Sequence, residues 1–246
     1  MQAGWTPAEY RSTLRRKRSL ALIYEDYYVR IRKMCVPGRT LELGGGGGFL
    51  NATVPGTVTT DIVSASWLDV VTDAHCLPFS DNSFDNVVML DVLHHLSYPR
   101  RFFAEADRVI KPGGRLVMIE PAVTPVSWVA YKFFHEEPVL LKVDPLESAA
   151  ISGPRPEDAN QAIPHLVFNR HAAHFADLFP TLNVFSVTRL SLWAYALSGG
   201  FRNWCLLPAF FVPPLLWVED RLLPVFGRLA AFRLMIVLER SDANRD

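Results

Sequence analysis

Residues able to carry protons or hydrogen bonds stand at, or just after, short apolar runs: Glu42, Asp61, Asp73, Asp91, His94, His95 and Glu120. The first run, Leu41-Glu42-Leu43, leads into five consecutive glycines, Gly44 to Gly48, followed by Phe49-Leu50. A run of this kind reads as a buried strand. Glycines cannot continue it. They permit positive φ and let backbone approach a ligand with no Cβ between. Strand, glycine turn and the start of a short helix at Phe49 together make a nucleotide-cofactor loop, its backbone N–H groups facing the ligand. A flexible surface loop is the plainer alternative. The clustering of acids and histidines at strand ends favours the cofactor loop, because ligands of open α/β sheets sit at the carboxyl ends of strands.

The elements that position these residues follow from the pattern. Residues 1–35 read as helix, with Leu20, Ile23, Tyr27, Ile31 and Met34 on one apolar face. Its basic residues, among them Arg11, Arg15, Arg16, Lys17 and Arg18, suit a solvated face or a patch for an anionic surface; Glu25 and Asp26 dilute the patch. The β-branched stretch 57–62 is a second strand ending at Asp61, where an acid accepts hydrogen bonds from ribose hydroxyls. Asp61 follows Gly48 by thirteen residues. The usual spacing is nearer ~20. The first crossover helix must therefore be short, with Pro55-Gly56 closing it. Residues 68–72, 84–90 and 115–119 read as further strands, and 99–110 as a helix that Lys111-Pro112-Gly113-Gly114 stops. Strands alternating with helices over short turns predict a mostly parallel sheet.

Composition narrows the class. Half of the residues are hydrophobic and 20% are charged, so the chain is globular. Its formal net charge is zero, against the basic excess of a nucleic-acid binder. Cys35, Cys76 and Cys205 are scattered and odd in number, which fits a reducing compartment. The N-terminus lacks the apolar core of a signal peptide. The longest apolar run, 205–217, is interrupted by Pro208, Pro213 and Pro214 and falls short of the ~18–20 residues of a membrane span. A cytoplasmic protein is expected, with contact to the inner face of a membrane as an extension of that reading.

The motifs Glu42-x-Gly44-x-Gly46-x-Gly48, Asp61, Asp73-Ala74-x-x-Leu77-Pro78-Phe79, Phe84-Asp85, Asp91-Val92-Leu93-His94-His95 and Ile110-Lys111-Pro112-Gly113-Gly114 stand in this order. In that order they resemble the class I S-adenosylmethionine-dependent methyltransferases, most of all the small-molecule enzymes grouped as type 11, over residues 38–121. The resemblance implies an α/β, Rossmann-like seven-stranded sheet, mostly parallel with the last strand antiparallel, with a helical cap and insertions. Residues 182–188 and 232–238 fit its last two strands. It implies S-adenosyl-L-methionine as cofactor. Gly44, Gly46 and Gly48 would cradle the methionine part, with Glu42 beneath holding the loop and the amino group. Asp61 would bind the ribose, Asp73 and the backbone of Ala74 the adenine, and Asp91 with Val92 would line the methionine end. The short first crossover departs from the family and bears on Asp61. Five glycines exceed the family's need at Gly45 and Gly47. One methyltransferase domain over 1–246 is expected: a helical cap at 1–37, the cofactor core at 38–121, and substrate-side insertions at 122–180 and 190–231.

Methyl transfer from a sulfonium is an in-line displacement for which the protein positions and desolvates. An oxygen or carbon nucleophile also needs a proton removed, and a histidine suits that. His94 and His95, just after the fourth strand, are the candidates, without a choice between them; packing against the following loop is the alternative role. Glu120, His135, Glu136 and Asn160 are candidate substrate contacts. The run His135-Glu136-Glu137 lacks the HExxH spacing and a partner pair, so no metal is expected. The aromatic stretch 190–231 suits a helical cap packed on the core. It equally suits an apolar surface that receives a lipid- or glycan-linked acceptor or docks on a membrane. The leading reading is a methyltransferase of a small-molecule or lipid/glycan-linked acceptor, oxygen before carbon. The alternatives are a nicotinamide-dependent Rossmann oxidoreductase and a non-catalytic module that binds a cofactor or membrane.

Overall fold

A computed structural model describes residues 6–148, 150 and 159–242. The first five residues of the expected N-terminal helix, and positions 149 and 151–158 of the first insertion, lie outside the described residues. The apolar runs form seven strands: β1 (Thr40–Leu43), β2 (Val58–Asp61), β3 (Val70–Val71), β4 (Phe84–Leu90), β5 (Ile110–Pro121), β6 (Leu182–Leu190) and β7 (Arg233–Arg240). They make one sheet in the order β3-β2-β1-β4-β5-β7-β6. The first five strands pair in parallel, and β7 runs antiparallel to both β5 and β6. This is the sheet the resemblance implies. A doubly wound dinucleotide sheet has the order 3-2-1-4-5-6, with no antiparallel strand between the fifth and sixth. The nicotinamide alternative therefore does not account for the topology.

The helices are α1 (Pro7–Arg16), α2 (Arg18–Met34), α3 (Pro99–Val109), α4 (Pro125–Phe134), α5 (Ile163–His165), α6 (Ala172–Leu178), α7 (Ala194–Ser198) and α8 (Val212–Ala230). Strand side chains alternate between the two faces of the sheet. Val87, Met89, Leu116, Met118, Ile236 and Leu238 pack with Phe102 and Phe103 of α3 and with Phe175 and Phe179 around α6. Val88, Val117, Ile119, Met235 and Val237 pack with Leu20, Ile23, Tyr24, Tyr27 and Ile31 of α2.

The second layer is built without crossover helices. Between β1 and β2 stands only the 3-10 turn Leu50–Ala52, where a short helix was expected. The Asn51 side chain accepts from the Gly56 N–H and the Thr57 hydroxyl donates to the Val54 carbonyl, so the chain reverses before helix can propagate. The vacant face of the sheet is covered instead by α2, which packs on β5 and against α7 and α8. The N-terminal segment is thus a structural layer, and it breaks where one helix was expected. Thr6 and Glu9 form a capping box at the start of α1. At Lys17 the backbone leaves helical geometry (φ −94°, ψ 85°), and its ammonium donates to the carbonyls of Gly200, Arg202 and Trp204. Strand β5 also starts early: Ile110 already pairs with Phe84, and a register shift between Phe84 and Asn86 absorbs the glycines that follow. Among the described residues, no helix is long and apolar enough to cross a membrane.

Candidate active site

The glycine loop is held from below and from the side. Gly45 donates its N–H to Thr60 O at 2.8 Å, and Gly46 donates to Asp61 Oδ2 at 2.9 Å. A Cβ on Gly45 would lie 2.3 Å from Thr59 Cγ2 and 3.0 Å from Glu42 Oε2. Gly45, surplus to the family's spacing, is therefore required by close approach. Gly44 and Gly46 both take positive φ, 69° and 35°. From above, Tyr10 of α1 lies against Gly46 and Gly47, and the Trp67 indole donates to Gly46 O at 3.0 Å. Arg11, Arg15 and Arg16 of α1 line an open groove of about 720 Å³ with Ser66 and Trp67.

Glu42 is buried beneath this loop. Its Oε2 finds no hydrogen-bond partner among the described residues. Burial pushes its carboxyl up to about 8, with a Thr59 hydrogen bond opposing and Asp61 adding to the rise. Asp61 stands at the end of β2 as expected. Its two oxygens accept from the loop, Oδ2 from Gly46 N–H and Oδ1 from Val63 N–H at 3.0 Å. Asp73 is half exposed and faces His75, 2.6 Å from its Nδ1. His75 Nε2 accepts the Tyr98 N–H, so Nδ1 carries the proton given to Asp73. Ala74 packs at the edge of the first core.

Asp91 adopts φ 60°, a left-handed conformation in a residue with a Cβ. Such strain persists where the surroundings impose it. Here Ile119 O accepts the Asp91 N–H, while Tyr24 OH donates to one carboxylate oxygen at 3.2 Å and the buried Arg233 to the other. Arg233 also lies over the Tyr195 ring at 4.4 Å. Val92 packs over Gly44.

Glu120 was a candidate substrate contact. It is fully buried, and its acceptor sites are filled. Oε1 accepts from the N–H groups of Val92 and Leu93 at 2.9 and 2.7 Å, and Oε2 from the His94 N–H and His94 Nδ1 at 3.4 and 2.7 Å. It holds the turn after β4 and orients His94. The other face of His94 meets Glu137, Nε2 to Oε2 3.6 Å. Glu137, and not the exposed Glu136, is the inward carboxylate of its pair, and Gln161 donates to it. Asn160 is buried too; its side chain ties Leu140 and Ala162 together, so it staples the insertion rather than facing a ligand.

Asp91, His94, His95, His135, Glu137, Gln161 and Arg233 meet in one cavity of about 60 Å³, walled by Tyr10, Tyr24, Tyr131, Tyr195 and Phe201. Burial depresses the His135 imidazole below its ordinary value, which Glu137 opposes. Glu137, Gln161, Arg233 and the tyrosines escape sequence reasoning. The one available signal is Arg233, the single charge within the run 232–238.

Residues 41–118, about a third of the chain, match the family model described as "Methyltransferase domain". A demethylmenaquinone methyltransferase of Renibacterium salmoninarum is 50% identical over 48 residues, 20% of this chain and 20% of that protein. The ubiquinone/menaquinone biosynthesis C-methyltransferase UbiE of Roseobacter denitrificans is 36% identical over 94 residues, 37% of this chain and 36% of its own. The chain thus spans between a fifth and two fifths of the length of these curated relatives. In fold it is similar to a putative methyltransferase of Haloferax volcanii solved with its Trm112 activator, at TM-score 0.53 and 15% identity, covering 98% of this chain and 100% of the other. Residues 41–118 match a methyltransferase domain, and the chain as a whole has a fold similar to that of a solved methyltransferase.

Proposed function

We propose that this protein transfers a methyl group from S-adenosyl-L-methionine to a hydroxylated small molecule bound in the cavity beneath His94. The carrying observation is Glu42: a buried carboxyl oxygen without a partner among the described residues, under a glycine loop, at the carboxyl end of the first strand. The amino group of the cofactor supplies the missing donor. The loop of Gly44, Gly46 and Gly48 would hold the methionine part, Asp61 the ribose, Asp73 and Ala74 the adenine, with Asp91 and Val92 at the methionine end. The bound cofactor supplies an electrophilic methyl carbon. The chain's own part would be to hold the acceptor hydroxyl against that carbon, to exclude water and to assist loss of the hydroxyl proton. His94 and His95 line the cavity and would activate the acceptor oxygen there.

Asp61→Ala and Asp73→Ala should each weaken S-adenosylmethionine binding by about 1–3 kcal/mol. Isothermal calorimetry checks this; unchanged affinity in both, or tight binding of NAD(H) instead, refutes the site. With labelled cofactor, mass spectrometry should find an oxygen-methylated product. A carbon-methylated product would transfer the relatives' chemistry to this chain and overturn the oxygen assignment. Cofactor binding with no transfer to any acceptor would mark a non-catalytic module.

We further propose that the acceptor carries an apolar part and is met at a lipid surface. Phe133 and Phe134 of α4 are 67% and 70% exposed, and Trp217, Val225 and Leu229 of the adjoining α8 are exposed as well. Cations frame these rings: Lys132 lies over Trp128 and Phe133, and Arg221 over Trp217. An amphipathic face of aromatics and basic residues suits an anionic membrane surface. Tyr131 and His135, at the end of α4, line the cavity, so the face adjoins its mouth. Sedimentation with phosphatidylglycerol-containing vesicles should carry down the parent chain, and Phe133→Ser/Phe134→Ser should remain largely in the supernatant. Equal partitioning of the two, or a dimer in solution that buries this face, would refute the membrane assignment.

A further inference from the structure

We infer that His94, His95 and Glu137 form a binding site for a divalent cation of the zinc class, open to the acceptor cavity. Their ligand atoms, one per residue, all lie within 4.8 Å of one another. The tautomer of His94 is set from behind. Glu120 accepts three backbone N–H groups and the imidazole Nδ1–H, so the Nε2 lone pair points away from it. That lone pair faces the carboxylate of Glu137 at 3.6 Å, too long for a hydrogen bond. Two electron-rich atoms held in this way, both buried, call for a cation between them. The other Glu137 oxygen lies 3.9 Å from His95 Nε2.

Bonds of about 2.0–2.2 Å around a tetrahedral ion place neighbouring donors roughly 3.3–3.6 Å apart. The His94 Nε2 to Glu137 Oε2 separation meets this; His95 Nε2 approaches the other carboxylate oxygen at 3.9 Å, so a small turn of the carboxylate or of the His95 ring closes the site on one ion. A carboxylate behind a ligating imidazole is the usual outer support of such a site. Glu120 provides it for His94, while Gln161 anchors Glu137. Two imidazoles and one carboxylate leave a position open, as in catalytic metal sites. All three ligands line the cavity with Tyr131, Tyr195 and Arg233, so that position faces the acceptor. The local spacing of His135-Glu136-Glu137 argues against a metal, yet the fold supplies the partner pair from His94-His95, some forty residues away. The methyltransferase reading enters only in the role of the ion, which is to hold the acceptor oxygen; the presence of the site rests on the geometry alone.

The test uses the full chain, stripped with a chelator, in a His171→Ala/His174→Ala background. That background removes a surface group in which Asp144 lies 3.5 and 3.7 Å from the two imidazoles and which would bind ions of its own. Titration should show one equivalent of Zn2+, and Co2+ should give the visible absorption of a four-coordinate site. Glu137→Gln and His95→Ala should weaken binding at least ~100-fold, and Glu120→Gln about 10–100-fold. Because a ligand variant can unfold, Zn2+ protection of the more accessible His95 from diethyl pyrocarbonate in the unsubstituted pair, read by peptide mass, locates the ion independently. Less than one equivalent, no protection, or a folded Glu137→Gln chain that binds as the parent does would overturn the site. Methyl transfer at full rate by the ion-free chain would overturn its role and leave the methyltransferase standing. One bound ion with no transfer from labelled cofactor would support the site and remove the enzyme reading.

Discussion

Arg233→Met should destabilise the protein by about 3–5 kcal/mol, the range for breaking a buried ion pair from one side. The Arg233 guanidinium is the partner of the Asp91 carboxylate, and Asp91 holds a left-handed backbone at φ 60°. Removing the cation leaves a carboxylate in a pocket of tyrosines, with Tyr24 OH as its remaining donor among the described contacts. At about 2–4 °C per kcal/mol for a chain of this size, the melting temperature should fall by roughly 10 °C. Asp91→Asn added to Arg233→Met should restore much of the loss, because the uncompensated charge is then gone. Thermal melts of the two variants check both statements. If Arg233→Met melts within 2 °C of the parent, or the double variant melts lower than the single one, the pair does not hold the turn after β4.

The same pair shows what a sequence carries and what it does not. Asp91 was found because it closes an apolar run, a local pattern. Arg233 was not, because it meets Asp91 from 142 residues away. The strands at 40–43, 58–61 and 84–90 are legible for the same local reason, as runs of apolar or β-branched residues bounded by turn residues, whereas those at 182–190 and 233–240 were placed by the family resemblance. The helix expected after Phe49 fails because Asn51 and Thr57 satisfy backbone groups within six residues, which propensity along the chain does not weigh. The cavity was half legible. His94 and His95 follow β4 directly. Glu137 lies in an irregular segment where no period distinguishes it from Glu136, and only Pro138 and Leu140, tied to Gln161 and Asn160, turn it inward. The aromatic stretch 190–231 was left open between cap and docking surface. Within it, Val212 and Glu219 of α8 are buried on the core, while Trp217, Val225 and Phe226 are exposed.

Glu42 makes stability and cofactor binding depend on pH in a definite direction. Its carboxyl is raised from 4.5 to about 8, chiefly by burial. Between those values the folded chain keeps a proton that the unfolded chain has released. Stability therefore falls as pH rises through this window, and the loss is complete above it. At about 1.4 kcal/mol per unit, the loss is on the order of 5 kcal/mol. Glu42→Gln mimics the protonated carboxyl. Urea unfolding should find the two chains alike near pH 5 and the glutamine variant more stable by several kcal/mol at pH 8.5. In the proposed site the cofactor would reverse the preference, because its ammonium group would favour the carboxylate. Binding near pH 6.5 should release close to one proton, measurable by calorimetry in buffers of differing ionisation enthalpy, and Glu42→Gln should release none while binding more weakly. Parallel pH profiles for the two chains, together with equal proton release, would show that Glu42 neither titrates in this window nor meets the amino group of the ligand.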